Sequence, residues 1–183
     1  MFNPQQQNAL MRIKEEFQDI NSNPIANIGV TIGLVNGNMF EWQATLIGPA
    51  DSSFKGGLFI LRIKFPDNYP EKAPEVRFVT PIYHVNVNPH VPRQPGGESL
   101  GHVCISTLNW WKPEYRMREV LTNIFALFYL SNPESPYGLD RAQEMREDPA
   151  LYEEKIKFFT KKYANPAKAT KIVENADWDF SLG

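Results

Sequence analysis

The residues able to do chemistry lie in one stretch, residues 83–113, which reads YHVNVNPHVPRQPGGESLGHVCISTLNWWKP. A cysteine thiolate attacks carbonyl carbon, and an amide such as that of Asn86 can donate to the oxyanion that forms. The stretch therefore predicts acyl transfer at a cysteine, unless that cysteine is a small buried apolar residue. It contains the single cysteine and all three histidines of the chain: Cys104, His84, His90 and His102.

Two other chemistries use the same residue types. A cysteine hydrolase needs a histidine as general base, and His84 or His90 could serve, whereas His102 is too close to Cys104 in the chain to be an obvious base. A metal site could draw its ligands from the histidines and the cysteine, but their spacing fits no standard zinc pattern. The residues alone leave a structural cysteine and a nucleophilic cysteine, such as that of a hydrolase, open, with a metal site the weakest alternative.

The composition excludes several classes of function. The chain has 183 residues, 42% of them hydrophobic, and a net charge of −2. A non-specific nucleic-acid binder usually carries a basic excess, so this class is disfavoured. No apolar run is long enough to cross a bilayer, and the first 17 residues lack the apolar centre of a signal peptide. One cysteine cannot form an internal disulfide, which favours a reducing compartment, cytoplasmic or nuclear.

The elements around the stretch predict one α+β domain. Apolar residues at positions 10, 13, 17 and 20 predict a first helix. Four strand-like runs follow, and their short links predict an antiparallel meander over residues 28–35, 39–47, 58–65 and 76–79. Helical spacing returns near residues 120–128 and after Asp148-Pro149. Residues 81–113 show no periodicity, and such a long irregular stretch usually has a functional reason.

Five motifs in a fixed order resemble the ubiquitin-conjugating enzymes: FPDNYPEKAP, YHVN, VCISTL, WKP and NPESP. Members of that family carry an F-P-x-x-Y-P-x-x-P-P segment, a His-Pro-Asn triplet, a catalytic cysteine and a W-x-P loop. The resemblance runs from about Leu10 to Tyr163. It implies a helix, a four-stranded antiparallel meander, a catalytic loop and three further helices. Residues 4–163 would form the conjugating core domain, and residues 164–183 a C-terminal extension.

The activity implied by the resemblance is acyl transfer through a thioester. Cys104 would take the C-terminal glycyl group of ubiquitin, or of a ubiquitin-like protein, from an activating enzyme, and a lysine amine would then attack. No metal, nucleotide or other cofactor is needed at this step, because the activating enzyme consumes the ATP. The implied partners are the modifier, the ubiquitin-activating enzyme, a ubiquitin ligase and a substrate lysine, with no nucleic acid and no membrane.

The resemblance also assigns roles by position. Cys104 is the nucleophile and thioester carrier. Asn86 matches the asparagine of the triplet, which stabilises the oxyanion or orders the active-site loop, and His84 matches its histidine, a loop brace rather than a base. Ser135 falls where relatives carry a gating acid or serine, and Tyr83 resembles their cleft tyrosine.

A ligase-binding surface is implied on the first helix and two loops. Relatives that serve HECT-type ligases often have a large apolar residue at the position of Glu71, so its carboxylate argues against that partnership. The residues of this predicted surface are Arg12, Pro70, Glu71, Lys112, Pro113 and Glu114.

The chain departs from the family pattern at three places. Val85 replaces the proline of the triplet, Ser106 replaces a frequent aspartate, and a Pro/Gly-rich insertion, Asn88 to Ser99, precedes the cysteine. Long surface insertions cost little free energy, so idle decoration is the leading interpretation, with a flap over the thioester or a ligase contact as alternatives. Val85 and the insertion motivate an alternative function: a non-catalytic conjugating-enzyme-like scaffold that binds ubiquitin or a partner.

Overall fold

The computed structural model describes residues 2–89 and 100–167. Four of its elements are strands of one antiparallel sheet, in the order β1-β2-β3-β4. This architecture confirms the predicted α+β fold. The elements are α1 (Pro4–Ser22), β1 (Val30–Val35), β2 (Asn38–Ile47), β3 (Leu58–Lys64), β4 (Glu75–Phe78), α2 (Ser106–Asn109), α3 (Met117–Ala126), α4 (Leu139–Glu147) and α5 (Pro149–Tyr163).

Helix α1 begins at a capping box. The Asn3 side chain accepts the Gln6 N–H at 2.8 Å, and the Gln6 side chain accepts the Asn3 N–H at 3.0 Å, so two otherwise unpaired donors are satisfied. The helix buries Ile13 and Ile20 as predicted, and it also buries the carboxylate of Glu16. A charge on the buried face needs partners, and here they come from α1 itself, from the loop after β3 and from the first residue of α3.

The sheet carries most of the core. Trp42 of β2 and Phe59, Leu61 and Ile63 of β3 are fully buried, all on one face. Strand β3 lies between β2 and β4, and Ile60 and Arg62 on its other face are buried as well. The sheet is therefore a rigid support for the irregular segment that follows β4.

The irregular segment is pinned at two neighbouring points. Val87 forms an antiparallel bridge with Val103, and the Cys104 N–H donates to the Asn86 carbonyl at 2.9 Å. Asn88 donates its N–H to His102 and accepts the N–H of Gly101. The described flanks of the insertion are thus paired side by side, whereas residues 90–99, including His90, lie outside the described residues.

The helices after the cysteine were predicted only in part. The periodicity predicted α3, and Asp148 caps α5 as expected, because its carboxylate accepts the Leu151 N–H at 3.0 Å. The periodicity did not predict the short α2 or the polar α4, and the described residues contain four helices after Cys104 where the resemblance implied three. No described helix is long and apolar enough to cross a membrane. The predicted boundary at residue 163 stays a prediction, since residues 168–183 lie outside the described residues.

Candidate active site

Cys104 lies two residues before α2, and its side chain is half-buried. In the described part of the chain the thiol has two side-chain hydrogen-bond partners. Asn109 donates an amide N–H to Sγ at 3.1 Å, and the Ser135 hydroxyl lies 3.6 Å from Sγ. Neither partner is a base, so the site suits a thiol that attacks an already activated ester.

Asn86 is 1% exposed, and its side-chain amide is saturated by one loop. Nδ2 donates to the carbonyls of Asn132 at 2.8 Å and Ser135 at 3.0 Å. Oδ1 accepts the Asn132 N–H at 2.8 Å. Of the two roles expected for Asn86, this geometry supports the ordering of the active-site loop. Through these bonds Asn86 holds Ser135 beside the thiol.

His84 is fully buried below the same loop. Its Nδ1 accepts the Asn86 N–H at 3.0 Å, so the proton of the neutral ring is assigned to Nε2, which donates to the Leu127 carbonyl at 2.9 Å. Burial lowers the pKa of His84 to about 4. The neutral imidazole is hydrogen bonded at both ring nitrogens, so it braces the loop and has no free nitrogen with which to take a proton from a substrate.

The depressed pKa of His84 predicts a loss of stability in mild acid. An unfolded chain protonates this ring below its ordinary pKa of 6.5, whereas the folded chain resists protonation until about 4. The contribution of the neutral His84 ring to the free energy of unfolding is therefore fully present above pH 6.5. It decreases as the pH is lowered, by about 2 kcal/mol between pH 7 and pH 5. Urea unfolding at several pH values measures it. His84→Gln should flatten the slope over that range, and an identical slope in both proteins would contradict the assignment.

The backbone beside His84 compensates for the missing proline. The Val85 N–H, which proline would lack, donates to the Tyr152 hydroxyl at 2.9 Å, and the Val85 carbonyl accepts the Tyr137 N–H at 2.9 Å. The buried Arg141 donates to the His84 carbonyl at 3.1 Å. These bonds fix the segment without the restricted φ of proline.

Tyr83 lies at the edge of this arrangement. Its hydroxyl donates to Glu144 at 2.7 Å, and the Arg141 guanidinium stacks 4.3 Å from its ring centre. Burial and the Glu144 carboxylate raise the pKa of Tyr83, so its phenol stays protonated. The contacts join α4 to the loop below the thiol, and the catalytic role expected for Tyr83 stays a prediction.

The other chemistries find little support in the described residues. No imidazole is hydrogen bonded to Cys104, since His84 is engaged as above and Nδ1 of His102 pairs with the Tyr137 hydroxyl. Of the two candidate bases, His84 is therefore engaged away from the thiol, and His90 lies outside the described residues. Within residues 2–89 and 100–167, no group of three or more His, Cys, Asp or Glu side chains is arranged to hold a metal ion.

The structure brings the predicted ligase surface together. Arg12 donates to the carbonyls of Pro113 at 3.3 Å and Tyr115 at 3.1 Å, and the Trp111 indole donates to the Pro70 carbonyl at 2.7 Å. Helix α1 and both loops thus form one continuous region, with exposed side chains at Glu71, Lys112, Pro113 and Glu114.

Glu16 joins these three segments from inside. It is 2% exposed, and its carboxylate accepts the Tyr69 hydroxyl at 2.7 Å, the Met117 N–H at 2.6 Å and the Arg12 guanidinium. Burial and the charge of Glu16 raise the pKa of Tyr69, so its phenol stays a donor. The sequence interpretation missed Glu16, although a carboxylate among the apolar positions of α1 was a usable signal.

Asn109 was missed as well. It follows the cysteine by five residues, and only the single turn of α2 brings its side chain back to Sγ. A segment without periodicity gives no indication of that turn.

Comparisons with known proteins agree with the geometry. The fold is that of a conjugating-enzyme domain: the E2 domain of a ubiquitin conjugating enzyme from Toxoplasma gondii is similar, with a TM-score of 0.72 and 28% identity, over 84% of this chain and 97% of that chain. A family model described as ubiquitin-conjugating enzyme matches residues 12–160.

The chain therefore belongs to the ubiquitin-conjugating enzyme family, and the resemblance predicted from its motifs is confirmed. Members of this family are transferases. Membership implies ubiquitin, an activating enzyme and a ligase as general partners.

Proposed function

We propose that this protein carries ubiquitin or a ubiquitin-like modifier as a thioester on Cys104 and transfers it to a lysine amine. The observation that carries the proposal is the accessible thiol held between the Asn109 amide and the Ser135 hydroxyl, beside a loop ordered by Asn86. Family membership supplies the reaction class.

Loading is a thioester exchange. The Cys104 thiolate attacks the carbonyl carbon of the thioester on the activating enzyme, and a new C–S bond forms while the carbonyl electrons move to oxygen. When the carbonyl re-forms, the old C–S bond breaks and the activating enzyme's cysteine leaves as a thiolate. Sulfur replaces sulfur, so no general base beside Cys104 is required, in keeping with the two non-basic partners of Sγ among the described side chains.

Discharge is an aminolysis. A neutral lysine amine attacks the thioester carbonyl, the C–N bond forms, and the C–S bond breaks with the electron pair returning to Sγ. The proton lost by nitrogen passes to water or to the leaving thiolate. A free lysine has a pKa of about 10.4, so partial desolvation at the cleft would help by favouring the neutral amine.

The test is incubation with activating enzyme, ATP and each of a panel of modifiers. A conjugate one modifier heavier, cleaved by added thiol, is the expected result. If no modifier of the panel forms a conjugate, the proposal is overturned. Loading that is never followed by discharge onto free lysine would instead favour the scaffold alternative.

Asn86→Ala is expected to spare loading and slow lysine discharge, on the order of tenfold or more, because loosening the loop misplaces the groups around the incoming amine. Single-turnover discharge of pre-loaded protein onto free lysine, run beside a loading time course, separates the two steps. Equal loss in both steps would contradict this role for Asn86.

A further inference from the structure

Asn109 holds a position that the family motifs do not assign. It is the last residue of α2, and its N–H donates to the Ile105 carbonyl at 2.9 Å, which closes the single turn. This turn brings Nδ2 to 3.1 Å from the reacting sulfur. The amide of Asn109 is thus the one N–H donor to Sγ among the described side chains.

Asn86 is not available for the same task in this geometry. A side-chain amide has two N–H groups, and both of those on Asn86 point at the carbonyls of Asn132 and Ser135. Donation to an oxyanion would require breaking one of these bonds at a site that is 1% exposed. The Asn132 or Ser135 carbonyl would then lose a part-buried hydrogen bond, which costs free energy.

Asn109 differs on both counts. It is exposed, and its second amide N–H has no acceptor among the described residues. The carbonyl oxygen of a thioester is separated from the sulfur by one carbon, so an amide in contact with Sγ is within reach of that oxygen.

We propose that Asn109 is a catalytic residue that stabilises the charge on sulfur before attack and the charge on oxygen in the tetrahedral intermediate, while Asn86 braces the loop. The proposal rests on the thioester function proposed above. In discharge, the Asn109 N–H first stabilises the oxyanion as the C–N bond forms. It then stabilises the Sγ thiolate as the C–S bond breaks.

The experiment compares variants at this exposed position. Asn109→Leu keeps the approximate shape and removes both donors, Asn109→Asp adds a negative charge, and Asn109→Gln keeps an amide on a longer side chain. Asn8→Leu, at an exposed asparagine of α1, is the matched control. Each protein is loaded and then discharged onto free lysine without a ligase.

The Leu and Asp variants are expected to discharge at least about tenfold more slowly than wild type, with Asp the slower, because a donor aimed at developing charge is removed. The Gln variant should recover part of the rate and the control should match wild type. Melting temperatures should be unchanged across the set. Wild-type discharge by Asn109→Leu would overturn the proposal, as would a Gln variant no faster than Leu.

A second measurement does not depend on modifier transfer. Alkylation of the single thiol by iodoacetamide requires the thiolate, so Asn109→Leu should be alkylated severalfold more slowly than wild type at pH 7, and Asn8→Leu at the wild-type rate. If the wild-type chain accepts no modifier, the proposed thioester function is wrong. The alkylation rates would still test whether the Asn109 amide stabilises the Cys104 thiolate. Equal alkylation of wild type and Asn109→Leu would overturn the role of Asn109.

Discussion

Cys104→Ser is expected to convert a thiol-labile conjugate into one that survives thiol treatment. The hydroxyl attacks the same carbonyl, more slowly, and leaves an oxyester that thiols do not exchange. An alkoxide is a far poorer leaving group than a thiolate, so discharge onto lysine should fall roughly a hundredfold or more. The chain has one cysteine, so any thiol-labile conjugate of the wild type must be at this residue.

Gel electrophoresis with and without reductant reads the result directly. Wild type should lose its conjugate on reduction, Cys104→Ser should keep it, and Cys104→Ala should form none. A conjugate on the alanine variant would mean that the modifier is attached elsewhere, for example through a lysine of the protein itself. That outcome would remove Cys104 from the mechanism.

Glu16→Ala is expected to lower the free energy of unfolding by about 3–5 kcal/mol, because two buried donors lose their acceptor at roughly 1–3 kcal/mol each. The variant leaves the Tyr69 hydroxyl and the Met117 N–H without their acceptor, and Arg12 keeps only its bonds to the Pro113 and Tyr115 carbonyls. Glu16→Gln should cost less, because one oxygen remains to accept a hydrogen bond. Urea denaturation at pH 7 measures the free energy of unfolding of wild type, Glu16→Ala and Glu16→Gln.

Glu15→Ala is the matched control. Glu15 is the neighbouring carboxylate on α1, and it pairs with Arg116 at 3.0 Å on the exposed side of the helix. Exposed ion pairs contribute at most about 1 kcal/mol, so this variant should remain close to wild type. If Glu16→Ala were no less stable than Glu15→Ala, the buried carboxylate would not be a structural centre. Ligase-dependent discharge should also fall in Glu16→Ala, because it loosens all three segments of the predicted surface.

The sequence predicted those parts of the fold that have a period. The strand-like run over residues 58–65 and the Asp148-Pro149 helix start are local signals, and β3 and α5 lie at these places in the structure. Helix α4 escaped because few of its positions face the core; only Arg141 and Ala142 are buried. A pattern of burial cannot be read where little is buried.

The residues of the candidate site also fall into a part that the sequence predicted and a part that it did not. The motifs indicated Cys104, Asn86 and His84 because the resemblance supplies their positions. Asn109 and Glu16 act through contacts that depend on where loops fold back, and no spacing rule encodes them. Both are polar residues explained only by the partners that the tertiary structure brings to them.

The hydrogen bond from the Gly101 N–H to the Asn88 carbonyl has a consequence for how the sequence of this chain can change in evolution. The hydrogen bonds of Asn88 with His102 and Gly101, and of Cys104 with Asn86, fix the thiol relative to Asn86 through residues on either side of residues 90–99. Evolution can lengthen, shorten or rewrite residues 90–99 without moving the thiol relative to Asn86. New recognition properties could therefore arise a few residues from an unchanged candidate active site.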